Sequence, residues 1–195
     1  MTAWHAVEVS GIGKGSSVLV TGGAGGVGHY AIQFAKARGA TVLTTISGDA
    51  KADLARKAGA DHCINYRTEN VGERVMAATA KKGVDAVIDM DFSSNAKLAP
   101  AILHPRSRFV VYGNSQPEAT IPSQFMLTNF IGIQYIFVYE LTAQERASAV
   151  NGINKMLEGK SLINNVALTL PLAEIHAAHE AVEQGKALGN VVVTL

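Results

Sequence analysis

A glycine-rich turn between an apolar run and a helical pattern constrains this chain more than any other feature. Val18-Leu19-Val20 has the apolar, β-branched character of a buried strand, and it leads through Thr21 into Gly22-Gly23-Ala24-Gly25-Gly26-Val27-Gly28. A helical pattern then starts at Val27. Val27, Ala31, Phe34 and Ala35 take the i, i+4, i+7, i+8 positions of one face, and Gly39 ends the run. Gly23, Gly25 and Gly28 stand in the spacing G-x-G-x-x-G. In such a turn the first glycine permits the tight strand-to-helix reversal and the second lets a pyrophosphate reach bare backbone. The third lets helix and strand pack closely. The helix N-terminus adds free N–H groups and a partial positive charge. Gly23, Ala24, Gly25, Gly26, Val27 and Gly28 are therefore the expected phosphate cradle of a dinucleotide.

Glycine clusters also occur in ordinary turns, so the context has to support this reading, and it does. Thr2 to Val9 lacks strand alternation and reads as a short helix, followed by breaks at Gly11, Gly13 and Gly15. Thr41 to Ile46 is a β-branched second strand, Ala50 to Ala58 a helix stopped by Gly59, and His62 to Asn65 a third strand. Asn70 to Ala80 reads as a helix, Ala86 to Asp89 as strand four, Asn95 to Leu103 as a helix and Arg108 to Val111 as strand five. A loop containing Pro117 and Pro122 leads to an expected sixth strand, Gly132 to Val138, and then to a long amphipathic helix, Ala143 to Glu158. Leu162 to Leu170, a helix near Leu172 to Glu183 and the apolar run Val191 to Leu195 complete the chain. Strands alternating with helices imply right-handed crossovers and a parallel sheet covered on both faces. The expected fold is α/β, a Rossmann doubly wound parallel sheet of about six strands. Residues 1–140 would form the dinucleotide-binding domain with its leading helix, and residues 141–195 would complete it.

Bulk properties narrow the function classes. A chain of 195 residues with 48% hydrophobic residues supports one sizeable core. The net charge of +1, with no basic run, argues against nucleic acid as partner. The single cysteine, Cys63, allows no intrachain disulfide and suits a reducing compartment. Met1 to Ser10 lacks the charged start and apolar core of a leader, and the most apolar stretch, Phe130 to Val138, is too short to cross a bilayer. A soluble cytoplasmic protein without membrane or nucleic-acid partners is expected.

The end of the second strand bears on cofactor choice. Sites for NAD place a carboxylate there to hold the ribose 2′-hydroxyl. Here the strand ends in Ile46-Ser47-Gly48, small residues that leave room for a 2′-phosphate, with Lys51, Tyr66 and Arg67 available for charge and hydrogen bonds. Asp49, two residues past the usual position, keeps a ribose contact open. The loop also fits T-G-x-x-x-G-x-G, from Thr21 to Gly28, the pattern of short-chain dehydrogenases. Those enzymes use a Tyr-x-x-x-Lys pair, in which the lysine lowers the tyrosine's pKa. None of Tyr30, Tyr66, Tyr112, Tyr135 and Tyr139 has a lysine four residues on.

Several segments together resemble the medium-chain reductases of the quinone oxidoreductase (zeta-crystallin-like) group. They are Val18 to Gly28, Ala50-Lys51 through Leu54, Ala58-Gly59-Ala60, Ile64-Asn65-Tyr66-Arg67 and Val111-Tyr112-Gly113-Asn114. Thr2-Ala3-Trp4, Pro171-Leu172, Ala178-His179-Glu180-Ala181 and Gly189-Asn190-Val191-Val192 extend the similarity over nearly the whole chain. The resemblance implies an NADPH-dependent reductase without catalytic zinc. Ser47, Lys51 and Tyr66 fall where that family meets the 2′-phosphate and adenosine. Gly25, Gly26 and Val27 fall at the pyrophosphate, and Gly113, Asn114, Phe137 and Val138 on the nicotinamide side. Lys186 is placed to approach the 2′-phosphate from the C-terminal tail. The resemblance further implies a homodimer through the edge of the sixth strand, residues 130–138, which suits an exposed apolar edge.

That family carries a GroES-like catalytic domain ahead of the nucleotide domain, and its small-molecule substrate sits between the two. These 195 residues have no room for that domain, so an excised module with doubtful turnover of its own is expected. The implied reaction is hydride transfer to a quinone or an activated alkene, for which no catalytic residue can be nominated here. A non-catalytic nucleotide-binding or association protein, or the enoyl reductase piece of a polyketide synthase, are the alternatives. The remaining reactive side chains read as ordinary. His176 and His179 share a helix face without a third ligand nearby, and Cys63 reads as a small buried hydrophobe. Asp89 and Asp91 flank the end of strand four, where a carboxylate pair is more often structural or solvated than in contact with a cofactor.

Overall fold

The computed structural model describes residues 1–185 and 187–195; Lys186 lies outside the described residues. Helix α1 (Thr2–Ser10) ends on Gly11 in the left-handed conformation and precedes β1 (Ser17–Val20). There follow α2 (Gly26–Ala37), β2 (Thr41–Ile46), α3 (Asp49–Lys57), β3 (His62–Asn65), α4 (Val71–Ala78) and β4 (Val84–Asp89). The short helices α5 (Phe92–Asn95) and α6 (Ala99–Ile102) lead to β5 (Leu103–Val111), α7 (Ser123–Thr128) and β6 (Gly132–Tyr135). The chain closes with α8 (Ala143–Glu158), β7 (Val166–Pro171), α9 (Ile175–Glu183) and β8 (Asn190–Thr194).

The first six strands form one parallel sheet in the order β3-β2-β1-β4-β5-β6. This is the doubly wound Rossmann arrangement that the alternating sequence pattern requires. Successive residues of β1 serve opposite faces. Val18 and Val20 join the core under α1 and α2, with Ile32, Val42 and Ile88, whereas Leu19 joins Leu43, Val87, Phe92 and Phe109 on the other side. A strand buried on both faces has no polar alternation, which explains its continuous apolar run. The order reverses between β1 and β4, and the crevice above that switch point is where open α/β sheets bind ligands.

Three expectations change. The helix anticipated over Asn95–Leu103 is broken into α5, a 3-10 turn (Ala96–Leu98) and α6, which carries Pro100 in its first turn, where a missing N–H is tolerated. Strand β5 begins at Leu103, five residues early, through the polar segment His104-Pro105-Arg106, where Arg106 has φ 68. Strand β6 ends at Tyr135 rather than Val138: its partner β5 stops at Val111, whose carbonyl accepts the last bond from the Ile136 N–H at 2.9 Å. Phe137 and Val138 thus lie beyond the strand, and Val138–Glu140 is a 3-10 turn.

The C-terminal elements wrap the α1–α2 face. Helix α8 opens with a capping box in which the Thr142 side chain accepts from the Glu145 N–H and the Glu145 side chain accepts from the Thr142 N–H. It docks on α1 where Gly152 meets the Trp4 ring, leaving no space for a side chain, and where Ser148 Oγ donates to Glu8 at 2.8 Å. Strands β7 and β8 form a separate parallel pair joined through α9. Among the described residues no helix is long and apolar enough to cross a membrane.

Candidate functional site

The glycine loop is fixed from both sides. The Gly22 N–H donates to Thr45 Oγ1 at 3.0 Å and the Gly23 N–H to the Thr45 carbonyl at 3.1 Å, stapling the loop to the end of β2. The tight turn requires positive φ at Gly22 (φ 68), one residue before the first glycine of the motif. Gly23 is needed for another reason: a Cβ there would overlap the Thr44 hydroxyl and come within 2.8 Å of Ile32 Cδ1. The third glycine behaves as expected, since a Cβ on Gly28 would press into the Gly22 backbone. Gly25 is the N-cap of α2; no side chain caps the helix and no acidic residue occupies its first turn. The free N–H groups at this end therefore stand open to an anion.

Beside the loop lies a cleft of about 710 Å³. Ala24, Gly25, Ser47, Lys51 and Tyr66 all line it, so the structure brings the pyrophosphate and 2′-phosphate candidates to one cavity. Ser47 follows β2, Lys51 stands in the first turn of α3, and Tyr66 follows β3 and is half exposed. Asp49 and Arg67 are exposed and do not line the cleft. The opposite wall comes from Met90, Asp91, Asn95 and Lys97. A free helix N-terminus, a glycine cradle and lysines facing one cleft fit a phosphate-rich dinucleotide.

Gly185, Ala187, Leu188 and Gly189 form a third wall. They are set in place through α2 itself. His29 Nε2 donates to the Ile163 carbonyl at 2.7 Å, and the Ile163 N–H donates to Gln33 Oε1 at 2.7 Å. The adjoining Asn165 carbonyl accepts from the Asn190 N–H at 2.8 Å and from Asn190 Nδ2 at 3.2 Å. The resemblance points to this stretch of the tail through Lys186 and Gly189, whereas Lys97 gives no signal in the sequence and is brought in by long-range packing.

Gly26 and Val27 do not line this cleft; they line a smaller apolar cavity of about 250 Å³ with Tyr30, Phe34, Ile153 and Leu157. The glycine loop divides the two cavities. Gly113, Asn114, Phe137 and Val138 line neither one. Gly113 packs against the Met90 backbone, and Asn114 Oδ1 accepts from the Ser93 N–H at 2.7 Å. Phe137 is largely exposed and meets Tyr139 edge to face at 5.2 Å.

The two carboxylates at the end of β4, Asp89 within it and Asp91 just beyond, differ sharply. Burial opposes ionisation of Asp91, but hydrogen bonds from the Ser93, Ser94 and Ser115 hydroxyls and the Ser115 N–H, at 2.6 to 3.0 Å, together outweigh it and hold its carboxyl far below the usual range. Asp91 thereby ties the cleft wall to the loop after β5. Asp89 is fully buried, and burial above all pushes its carboxyl up, against hydrogen bonds from Thr21 and Asn95. Burial also raises Cys63, whose thiol donates weakly to the Ala52 carbonyl at 3.6 Å. Among the described residues no three His, Cys, Asp or Glu side chains gather as a metal site.

Comparison with known proteins agrees with this geometry. The 2-haloacrylate reductase of a Burkholderia species is 30% identical over 187 residues, covering 92% of this chain and 55% of that protein. A highly reducing polyketide synthase of a Dothideomycetidae species is 27% identical over 202 residues, covering 100% of this chain and 8% of the synthase. A mycobacterial protein solved as a complex with NADPH superposes with a TM-score of 0.87 at 26% identity, covering 100% of this chain and 62% of its own. The chain thus spans about half the length of the reductase it matches. The zinc-binding dehydrogenase profile matches residues 26–154, from the start of α2 into α8 and more than half of the sequence. With the Rossmann sheet and the glycine loop in place, this chain belongs to the zinc-binding dehydrogenase family of the medium-chain dehydrogenase/reductase superfamily.

Proposed function

We propose that this chain is the NADPH-binding module of a zinc-independent oxidoreductase that delivers hydride to a quinone or an activated alkene. One observation carries the reading: Gly25, the N-cap of an α2 that no side chain caps, shares a single cleft with Ser47, Lys51 and Tyr66, where an NAD site would present a carboxylate. The likeness to a mycobacterial protein solved with NADPH supports the cofactor, and the likeness to a reductase of haloacrylate, itself an activated alkene, supports the substrate class.

When bound, the nicotinamide supplies the hydride. The chain's own residues bind and orient the cofactor. The α2 N–H groups and Gly25 receive the pyrophosphate, while Lys51, Ser47 and Tyr66 hold the 2′-phosphate. Gly113 and Asn114 after β5, with Phe137 and Val138 beyond β6, are the proposed nicotinamide-side residues. Residues 1–140 are the proposed cofactor domain, and 141–195 its completion. The greater length of the relatives supports a substrate pocket finished by a further domain. The exposed edge strand β6, with Tyr135 61% exposed, supports association of two copies along that edge. A second reading, the enoyl reductase segment of a polyketide synthase, is favoured by the full-length match of this chain to a small part of such a synthase.

Titration of the chain with NADPH and separately with NADH, followed by nucleotide fluorescence, tests the proposal. NADPH is expected to bind at least tenfold tighter. Equal affinities would remove the 2′-phosphate assignment, and failure of both nucleotides to bind would overturn the reading.

A further inference from the structure

Behind the cleft lies a carboxyl group that neither touches the cavity nor enters an ion pair among the described residues. Asp89, the last residue of β4, is 0% exposed. Its Oδ1 accepts two hydrogen bonds, from Thr21 Oγ1 at 2.7 Å and from Asn95 Nδ2 at 2.8 Å. Both donors belong to residues that line the cleft, on opposite sides. Thr21 opens the glycine loop; its N–H donates to the Ile88 carbonyl at 3.0 Å, and its Oγ1 accepts from the Met90 N–H at 3.0 Å. Asn95 ends α5. A single oxygen therefore joins the phosphate-facing loop to the far wall.

The second oxygen, Oδ2, is buried and has no partner. The groups facing this carboxyl are the Thr21 hydroxyl, the Asn95 amide, the Asp91 backbone N–H, the Asp91 carboxylate and the Tyr112 phenol. None of them is a cation. A buried carboxylate with an unsatisfied oxygen and a neighbouring anion is costly, whereas the neutral acid leaves only one O–H unpaired. Burial also pushes the Tyr112 phenol well up, with the Asp89 charge adding to it, so neither group readily takes a negative charge here.

We propose that Asp89 is a positioning residue of the nucleotide cleft: held as a neutral carboxylic acid, it fixes Thr21 and Asn95 through Oδ1 and so sets the gap between glycine loop and α5 wall. This rests on reading the cleft as the nucleotide site. Thr21 and Asn95 are spaced for the ligand before it arrives, and ionisation of Asp89 would put an uncompensated charge directly behind the loop.

The test is NADPH titration of the wild type, Asp89→Asn, Asp89→Ala, Thr21→Val and Asn95→Ala between pH 6 and 9, with thermal unfolding of each. Asp89→Asn keeps an acceptor oxygen and stays neutral throughout. It is expected to bind within about twofold of the wild type at pH 6 and to keep its affinity across the range, whereas the wild type weakens wherever Asp89 ionises. Asp89→Ala is expected to bind tenfold more weakly or worse, and Thr21→Val and Asn95→Ala to weaken binding while remaining folded. These last two decide the question if Asp89→Ala does not fold. Folded variants that bind NADPH as the wild type does would overturn the positioning role. Asp89→Asn as damaging as Asp89→Ala would overturn the neutral acid. A wild type that binds no nucleotide would instead remove the cleft reading on which the proposal stands.

Discussion

Gly28 lies against the backbone of Gly22 so closely that a Cβ on it would stand 2.9 Å from the Gly22 carbonyl carbon and 3.0 Å from the Gly23 Cα. Helix α2 can approach β1 only because that atom is missing. Gly28→Ala is therefore expected to cost about 1–3 kcal/mol in urea unfolding, by overpacking, and to weaken NADPH binding at least tenfold. Gly25→Ala meets only the Gly22 carbonyl oxygen, at 3.3 Å. Its stability should change little while its nucleotide affinity falls, because the added methyl would stand at the proposed phosphate contact.

Lys51 and Tyr66 face one cleft with Ser47. Losing a charged hydrogen bond costs about 1.5–3 kcal/mol when buried, and less here because Tyr66 is half exposed. Lys51→Met is expected to weaken NADPH by about tenfold while leaving NADH nearly unchanged, and Tyr66→Phe to act in the same direction by less. Equal losses for the two nucleotides, measured by fluorescence titration, would place these residues elsewhere on the ligand.

Asp85 supplies a pH-dependent tie at the opposite end of the sheet. Burial acts to raise its carboxyl, but the Ser17 N–H at 2.7 Å, the Ser17 hydroxyl at 3.0 Å and His104 at 3.2 Å outweigh it and hold it below the ordinary carboxylate range. A depressed folded-state value gives stability that is fully present above the unfolded value, about 3.9. That stability is lost as pH falls through the folded value. The stability gap between the wild type and Asp85→Asn should hold steady from pH 7 to 5 and close below the ordinary aspartate range. Urea unfolding across that range checks it.

Phe92 and Phe109, 1% and 0% exposed, meet edge to face at 5.3 Å under β4 and β5. Phe109→Ala should cost about 3–5 kcal/mol, the range for truncating a buried aromatic, read as a lowered denaturation midpoint. Phe92→Ala carries a second expectation. The residue opens α5, so its loss should also loosen Asn95 and weaken NADPH binding.

On the β6 edge, Tyr135→Lys puts a charge on a residue that is 61% exposed. If two copies pair there, sedimentation should show this variant as a monomer at concentrations where the wild type is a dimer. Indistinguishable sedimentation of the two proteins would exclude that edge.

Much of the fold was legible because the sequence marks it with abrupt changes of residue type. β1 is an apolar run that leads through Thr21 into glycines, β2 is a β-branched run that stops at Ser47, and the α2 pattern stops at Gly39. The first half of β5 was hidden because His104-Pro105-Arg106 is polar and contains a residue at positive φ. The end of β6 was hidden because Ile136-Phe137-Val138 remains apolar, and strand length there is decided by where the partner β5 runs out. In the site, Ser47, Lys51 and Tyr66 could be read from their place just after strands, since strand ends converge on the switch point. Gly26 and Val27 follow the same motif, yet the helix turns them toward the neighbouring apolar cavity. The roles of Thr21, Asn95 and the wall of Gly185, Ala187, Leu188 and Gly189 depend on bonds between residues far apart in sequence, which no local pattern encodes.

That last wall has a consequence for how the protein comes into being. A ribosome delivers residues in order, at about 5–20 per second, so the glycine loop and the six-stranded sheet emerge while the cleft is still open on one flank. Gly185, Ala187, Leu188, Gly189 and strand β8 follow the sheet and close it. The third wall of the cleft is thus made only after the sheet it leans on, and a nascent chain halted at Glu183 would own the sheet but not that wall.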